Sequence, residues 1–352
     1  MPQQAAMAPQ APAPEPAEAG PDSLPSRRRI ARHTYGAIDL GTNNCRLLVA
    51  RPTEDGFTVV DAFSRIVRLG EGLSTTGRLS TDAMDRAVGA LGVCADKLRR
   101  RHVSLSRSVA TEACRRAANG REFADRVRRE TGIAMEIISP QEEARLAVLG
   151  CHKLLEPGDG PALIFDIGGG STELVLVEPG EEDSPPRIRA WWSAPWGVVS
   201  LTESEGAGAI DGDNRLEAYA RMKARASDSF SRFAEILPSK KKGIRLLGTS
   251  GTVTTLASVH LALPSYDRRA VDGLHVPIDD MRRISLMIAE LDFGGRSSVP
   301  CIGAERADLV VAGCAILEAI LDIWPADRLG VADRGIREGI LRSLMANDGH
   351  LV

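Results

Sequence analysis

The stretch LIFDIGGGSTELVLV, Leu163 to Val177, is an apolar run that ends in Asp166, crosses three glycines and a Ser-Thr pair, and resumes as a second apolar run. Two strands can turn on two residues, and each glycine gives up more backbone freedom on folding than any other residue. Three in succession imply a tight bend, or something that comes very close to the backbone there. The pattern occurs twice. Setting AIDLGTNNCRLLVA (Ala37 to Ala50) beneath IFDIGGGSTELVLV (Ile164 to Val177) places Asp39 on Asp166, Gly41 on Gly168, Leu47 on Leu174 and Leu48 on Val175. Each copy reads as a β-hairpin with an acidic residue at its entry. The separation is too long for a solenoid repeat and fits duplication of a whole domain.

The flanking sequence supports duplication. FTVVDAFSRIVRLG (Phe57 to Gly70) alternates like a strand, and Ser80, Thr81 and Asp82 cap a helix with Met84, Val88, Leu91, Ala95 and Leu98 on one face. HVSLSRSVAT and AMEIIS read as strands, REFADRVRRETG as a helix closed by Gly132, and Gln141 to Leu155 as another helix. EPGDGP (Glu156 to Pro161) breaks the chain, after which the scheme repeats: hairpin, strand RIRAWWS, helix from Asn214 to about Ile236, strand IRLLGTS, further helices, strand RLGVADRG and a final helix from Ile336 to Met345. Strands alternating with helices give an α/β fold. The expected domains are a tail at 1–34, a first unit at 35–157 and a second at 158–352, with a cleft between the units and the last helix a candidate to pack back on the first.

Composition limits the function. Lys plus Arg number 44 against 47 Asp plus Glu, a net charge of -3, so nothing in the whole chain argues for DNA as a partner. The six cysteines are scattered with no CxxC pair, which reads as reduced thiols in a cytoplasmic protein. The first thirty-odd residues are rich in Ala, Pro and Gln and read as a disordered tail ending in Arg27, Arg28, Arg29 and Arg32; no apolar run is long enough for a membrane span. SKKKG (Ser239 to Gly243) reads as a solvated turn.

A bend made of glycine and small polar residues presents consecutive backbone N–H groups, a concave site for phosphate oxygens. Gly168, Gly169, Gly170 and Ser171 form one such cradle, and Gly41, Thr42, Asn43 and Asn44 the other. Carboxylates repel phosphate, so Asp39 and Asp166 call for a cation; Mg2+ suits one or two carboxylates plus phosphate oxygens. The bland alternative is that the glycines only turn the chain and the aspartates cap local N–H groups. No GxxxxGK[ST] occurs, and the glycines enter a strand rather than a helix, unlike a Rossmann fingerprint. A third cluster, GTSGTVTTLA from Gly248, follows a strand and opens a helix, offering donors around Gly248, Ser250 and Gly251.

Together these segments resemble the Ppx/GppA phosphatase family, the exopolyphosphatases and guanosine pentaphosphate phosphatases of the acetate/sugar kinase, Hsp70 and actin superfamily. DLGTNNCRLLVA and DIGGGSTELVLV resemble its two phosphate motifs, ATEACRRAANGREF its Ala-Thr-x-Ala-x-Arg segment, and IISPQEEARL its Glu-Glu-Ala-Arg segment. GTSGTVTTLA, ERADLVVAGCAIL and VADRGIREGIL complete the series in order, covering about Tyr35 to Met345. The resemblance implies two duplicated actin-like, ribonuclease H-like domains. It implies that Glu143 is catalytic, that Arg115 binds substrate phosphate, and that Asp39 and Asp166 organise magnesium. It also implies a homodimer. Some relatives continue with a helical domain that lengthens the path for long polyphosphate; with the sequence ending at Val352, the expectation is the active cleft without that extension.

The leading expectation is therefore a Mg2+-dependent exopolyphosphatase in which Glu143 activates water to release orthophosphate from the end of inorganic polyphosphate. Guanosine pentaphosphate hydrolysis is the alternative. A small-molecule kinase and a non-catalytic polyphosphate or nucleotide sensor stand behind it. Arg46, Gly197 and Ser200 are further candidates near the cleft.

Overall fold

The computed structural model describes residues 33–54, 56–158, 160–178, 180, 185–206, 208–237 and 244–350. The tail up to residue 32 and the Ser239–Gly243 turn lie outside the described residues.

Two mixed sheets carry the fold. The first has strands β1 (Tyr35–Leu40), β2 (Asn44–Thr53), β3 (Gly56–Ile66), β4 (Leu105–Ala110) and β5 (Met135–Ile137), in the order β3-β2-β1-β4-β5. The second has β6 (Ala162–Ile167), β7 (Thr172–Glu178), β8 (Arg187–Ala194), β9 (Arg245–Gly248), β10 (His275–Pro277) and β11 (Arg328–Val331), in the order β10-β11-β9-β6-β7-β8. In each, the opening hairpin is antiparallel and its first strand pairs in parallel with a later one, β1 with β4 and β6 with β9. Even the irregularity recurs: the register shifts between Val49 and Ala50 in one copy and between Leu176 and Val177 in the other.

Thirteen α-helices occur among the described residues. Those before the second sheet are α1 (Leu73–Thr76), α2 (Thr81–Arg100), α3 (Glu112–Arg116), α4 (Gly120–Thr131) and α5 (Pro140–Cys151), the last followed by a 3-10 turn at His152–Leu154. Within and after it come α6 (Val198–Glu205), α7 (Arg215–Ile236), α8 (Gly251–His260), α9 (Arg268–Val271), α10 (Ile278–Glu290), α11 (Phe293–Ser298), α12 (Val310–Ile323) and α13 (Ile336–Asn347). The buried stripe of α2 is Ala83, Ala87, Ala90, Leu91, Cys94 and Ala95, rotated from the expected face so that Met84, Val88 and Leu98 are only partly covered. Small side chains let the helix axis approach the sheet, and the longer ones fill its flanks.

Helix α5 is held on two sides. Ala144, Val148 and Cys151, one helical stripe, pack against Ile164 and Val175 of the second sheet. Leu146 and Ala147 face Leu48 and Val109 of the first sheet together with Ile340 and Leu341 of α13. The crossing of α5 and α13 is backbone-close: a Cβ on Gly150 would lie 2.0 Å from the Gly335 carbonyl oxygen, and one on Gly339 2.0 Å from that of Leu146. Two further contacts tie the halves at the surface, an ion pair from Arg68 Nη1 to Asp308 Oδ2 at 2.9 Å and a hydrogen bond from the Gly72 N–H to Glu203 Oε1 at 2.9 Å.

Candidate active site

The two glycine bends meet. A Cβ on Gly169 would stand 2.9 Å from Thr42 Cβ and 3.1 Å from the Asn43 nitrogen, and one on Gly170 would stand 2.8 Å from Thr42 Oγ1. This is why Gly169 and Gly170 carry no side chain: the neighbour that comes too close is the matching bend of the other half, whereas a Cβ on Gly168 would meet the Ser171 carbonyl oxygen of its own bend at 3.0 Å. The second bend is held from behind, where the N–H groups of Val198 and Val199 donate to the carbonyls of Gly168 and Gly169 and Ser200 Oγ donates to that of Gly170. Gly197 and Ser200 thus support the bend.

A cavity of about 150 Å³ opens at this meeting point, walled by Gly41, Thr42, Asn43 and Asn44 on one side and Gly168, Gly169, Gly170 and Ser171 on the other. Asp39, Asp166, Glu143, Ser250 and Gly251 line it too. Ser250 caps α8, its side chain accepting from the Val253 N–H, so the first turn of that helix points at the cavity. Gly248 lies behind this wall: a Cβ there would meet the Phe165 ring at 2.8 Å, which gives it a packing role in the strand-to-helix turn.

Glu143 sits in the first turn of α5, whose N-cap Ser139 accepts from the Glu142 N–H. Its neighbour Glu142 turns away to Arg107 and Arg145, while Glu143 is buried. Burial raises the Glu143 carboxyl well above its ordinary range and nearby Glu173 raises it further, against the pull of Arg115. Arg115 does not line the cavity. Its Nη1 donates to the Ile138 carbonyl at 2.8 Å and to Glu143 Oε2 at 3.1 Å, and its Nε and Nη2 donate to Glu112 Oε2 at 3.1 and 2.6 Å. The expectation of a phosphate ligand meets a guanidinium already engaged by two carboxylates.

Asp39 and Asp166 offer hard oxygen donors suited to a magnesium ion. Burial is the main cause that raises both, Asp166 to about 8 with Glu173 adding to it, so a cation beside them would relieve an unfavourable charge. Asn43 Oδ1, another hard oxygen of the wall, is buried without a hydrogen-bond partner. Among the described residues no cluster of three or more His, Cys, Asp or Glu is spaced to hold a metal, so a cation here would rest on two carboxylates, substrate oxygens and water.

Sequence reading missed Glu173, Glu112 and, apart from Arg46, an arginine-rich continuation of the cleft. Glu173 is almost fully buried, accepting from Ser171 Oγ at 2.7 Å and Ser193 Oγ at 2.9 Å. A lone charge inside the apolar run TELVLV was the available signal. The continuation, about 360 Å³, shares Asp39, Asp166 and Ser250 with the first cavity and is lined by Arg46, Arg268, Arg306, Arg334 and Arg337. Arg268 and Arg334 are tied to Glu338 and Asp272, whereas Arg46, Arg306 and Arg337 have no ion pair among the described residues. These arginines come from distant segments, and no local pattern gathers them.

Two duplicated α/β lobes with apposed hairpins over a shared acidic and glycine-lined cleft define the two-domain actin-like class. The model of the Ppx/GppA phosphatase family matches residues 48–348, and the chain belongs to that family. It is a phosphoanhydride hydrolase. Exopolyphosphatase 2 of Mycobacterium tuberculosis is 30% identical over 329 residues, covering 90% of this chain and 99% of that protein. The guanosine-5'-triphosphate,3'-diphosphate pyrophosphatase of Aeromonas salmonicida is 30% identical over 318 residues, covering 89% of this chain and 60% of that protein. The crystal structure of the Aquifex aeolicus family member superposes with a TM-score of 0.73 at 29% identity, covering 91% of this chain and 99% of that one. No helix among the described residues is long and apolar enough to cross a membrane.

Proposed function

We propose that the chain is an exopolyphosphatase that hydrolyses the terminal phosphoanhydride of inorganic polyphosphate to orthophosphate, with Glu143 as the base and Asp39 and Asp166 holding Mg2+. The observation that carries this reading is the sharing of one cavity by both glycine bends, both aspartates and Glu143. The N–H groups of the bends hold the oxygens of the terminal phosphate, and Glu143 orients a water molecule and takes its proton. Arg115 keeps Glu143 aimed and opposes the rise that burial gives its carboxyl. When bound, Mg2+ supplies positive charge that offsets the negative charge developing on the transferring group. The arginine-lined continuation supports a substrate that stays anionic beyond its first phosphates, as a polyphosphate chain does.

Guanosine pentaphosphate 5'-phosphatase activity is the second reading, favoured by the similarity to the Aeromonas salmonicida enzyme. The deciding experiment measures orthophosphate release from polyphosphate and from guanosine pentaphosphate, with and without Mg2+, for the wild type and Glu143→Gln. The expected result is Mg2+-dependent release, faster from polyphosphate, with the variant slower by about 10²- to 10⁴-fold. Full activity in the variant removes Glu143 from the role of base.

A further inference from the structure

Glu112 stands where a negative charge opposes the binding of phosphate. It is a carboxylate in the wall of a cavity built for phosphate, only 14% exposed, and a Cβ on Gly170 would lie 3.1 Å from its Cγ. Negative charge at that place repels substrate unless it serves another purpose. The hydrogen bonds of Arg115 supply one. A guanidinium has five N–H donors. Glu112 takes Nε and one N–H of Nη2, the Ile138 carbonyl and Glu143 share Nη1, and one N–H remains. Arg115 therefore lacks two free parallel donors for bidentate capture of a phosphate while Glu112 holds it.

We propose that Glu112 is a positioning residue that acts through Arg115, holding the guanidinium back from the substrate so that it stays clamped on Glu143. The proposal rests on the reading of Glu143 as the base. Helix α3 places Glu112 and Arg115 one turn apart, and the short hydrogen bond between them fixes the arginine's fork, so Nη1 meets Glu143 in one orientation. Glu112 also stands against the second glycine bend, so the bend that receives phosphate and the base that activates water are connected through two side chains. With Glu112 neutral, Arg115 is free to turn into the cavity: substrate binding gains a cation and the base loses its aim.

Steady-state hydrolysis of inorganic polyphosphate by Glu112→Gln, Arg115→Ala and the double variant tests this, with thermal unfolding as a check on folding. Glu112→Gln is expected to lower kcat by about ten- to a hundredfold, with KM unchanged or lower. In the Arg115→Ala background the same change is expected to have no further effect, because the link to Glu143 is already gone. Glu112→Asp keeps the charge and is expected to recover part of kcat; it also carries the test if the glutamine variant folds poorly. A kcat within twofold of wild type, or losses that multiply in the double variant, overturns the proposal. Glu143→Gln separates the two readings. If that variant is inactive while the losses multiply, only the role of Glu112 falls; if it is fully active, both fall.

Discussion

Glu173 is the counterpart of Arg46. Each lies directly across a hairpin from its half's aspartate, Arg46 opposite Asp39 and Glu173 opposite Asp166. Duplicated scaffolds thus carry opposite charges at matching positions. The first half sets a cation against its acid. The second sets an acid against an acid, and that carboxylate also raises Glu143.

This asymmetry predicts a pH dependence. Asp166 is raised to about 8, by burial first and then by Glu173, whereas an unfolded aspartate titrates near about 4. Between those values the folded chain keeps a proton that the unfolded chain has released, so stability falls as pH rises through the window. Metal-free protein is expected to melt lower at about pH 8 than at about pH 5, and Mg2+ to raise the Tm more at the higher pH. Glu173→Gln should flatten the profile. Equal Mg2+ increments at both pH values in thermal unfolding would count against the two aspartates as the cation's seat.

The contact of the bends predicts that Gly169→Ala destabilises by about 1–3 kcal/mol, because its Cβ would press on Thr42 and the Asn43 backbone. Phosphate release should fall more than stability does, since the cradle itself is displaced. Chemical denaturation alongside the hydrolysis assay checks both; a variant with wild-type kcat would show that the bends need not touch.

The α5–α13 crossing predicts a larger structural effect. Gly339→Ala would put its Cβ 2.0 Å from a backbone oxygen, which cannot swing aside, and is expected to destabilise by about 3 kcal/mol or more. Gly89→Ala is the control. Nothing lies within 4 Å of its added Cβ in α2, so it should stabilise by about 0.5–1 kcal/mol. Denaturant midpoints moving in the same direction for both would contradict this packing.

Arg68 and Asp308 tie the two halves through a partly exposed ion pair. Arg68→Ala is expected to change stability by at most about 1 kcal/mol and KM by at most about fivefold, with the KM effect shrinking in high salt. A Tm loss of many degrees would instead make the pair a structural tie.

Much of the fold was legible in the sequence because its signals are local. Alternating apolar residues announced the strands, Gly132 and Ser80 closed and opened helices where expected, and the repeated hairpin gave the duplication. Periodicity marks the apolar face of α2 but not which members of it approach the sheet, so Met84, Val88 and Leu98 lie at the flank of the buried stripe. Candidate site residues were legible as motifs; their partners were not. The motif around Arg115 says nothing of Glu112 and Glu143, which occupy most of its donors in the folded chain.

Which residues bend, which strands repeat and where acids stand along the chain follow from neighbours a few positions apart, and the amino-acid order alone carries them. That Gly169 lies against Thr42, that five arginines from distant segments line one cavity, and that Glu173 burdens Asp166 came only with the closed fold. Steric exclusion and charge act through space, and a residue's nearest neighbours in space are chosen by how the two halves close on each other.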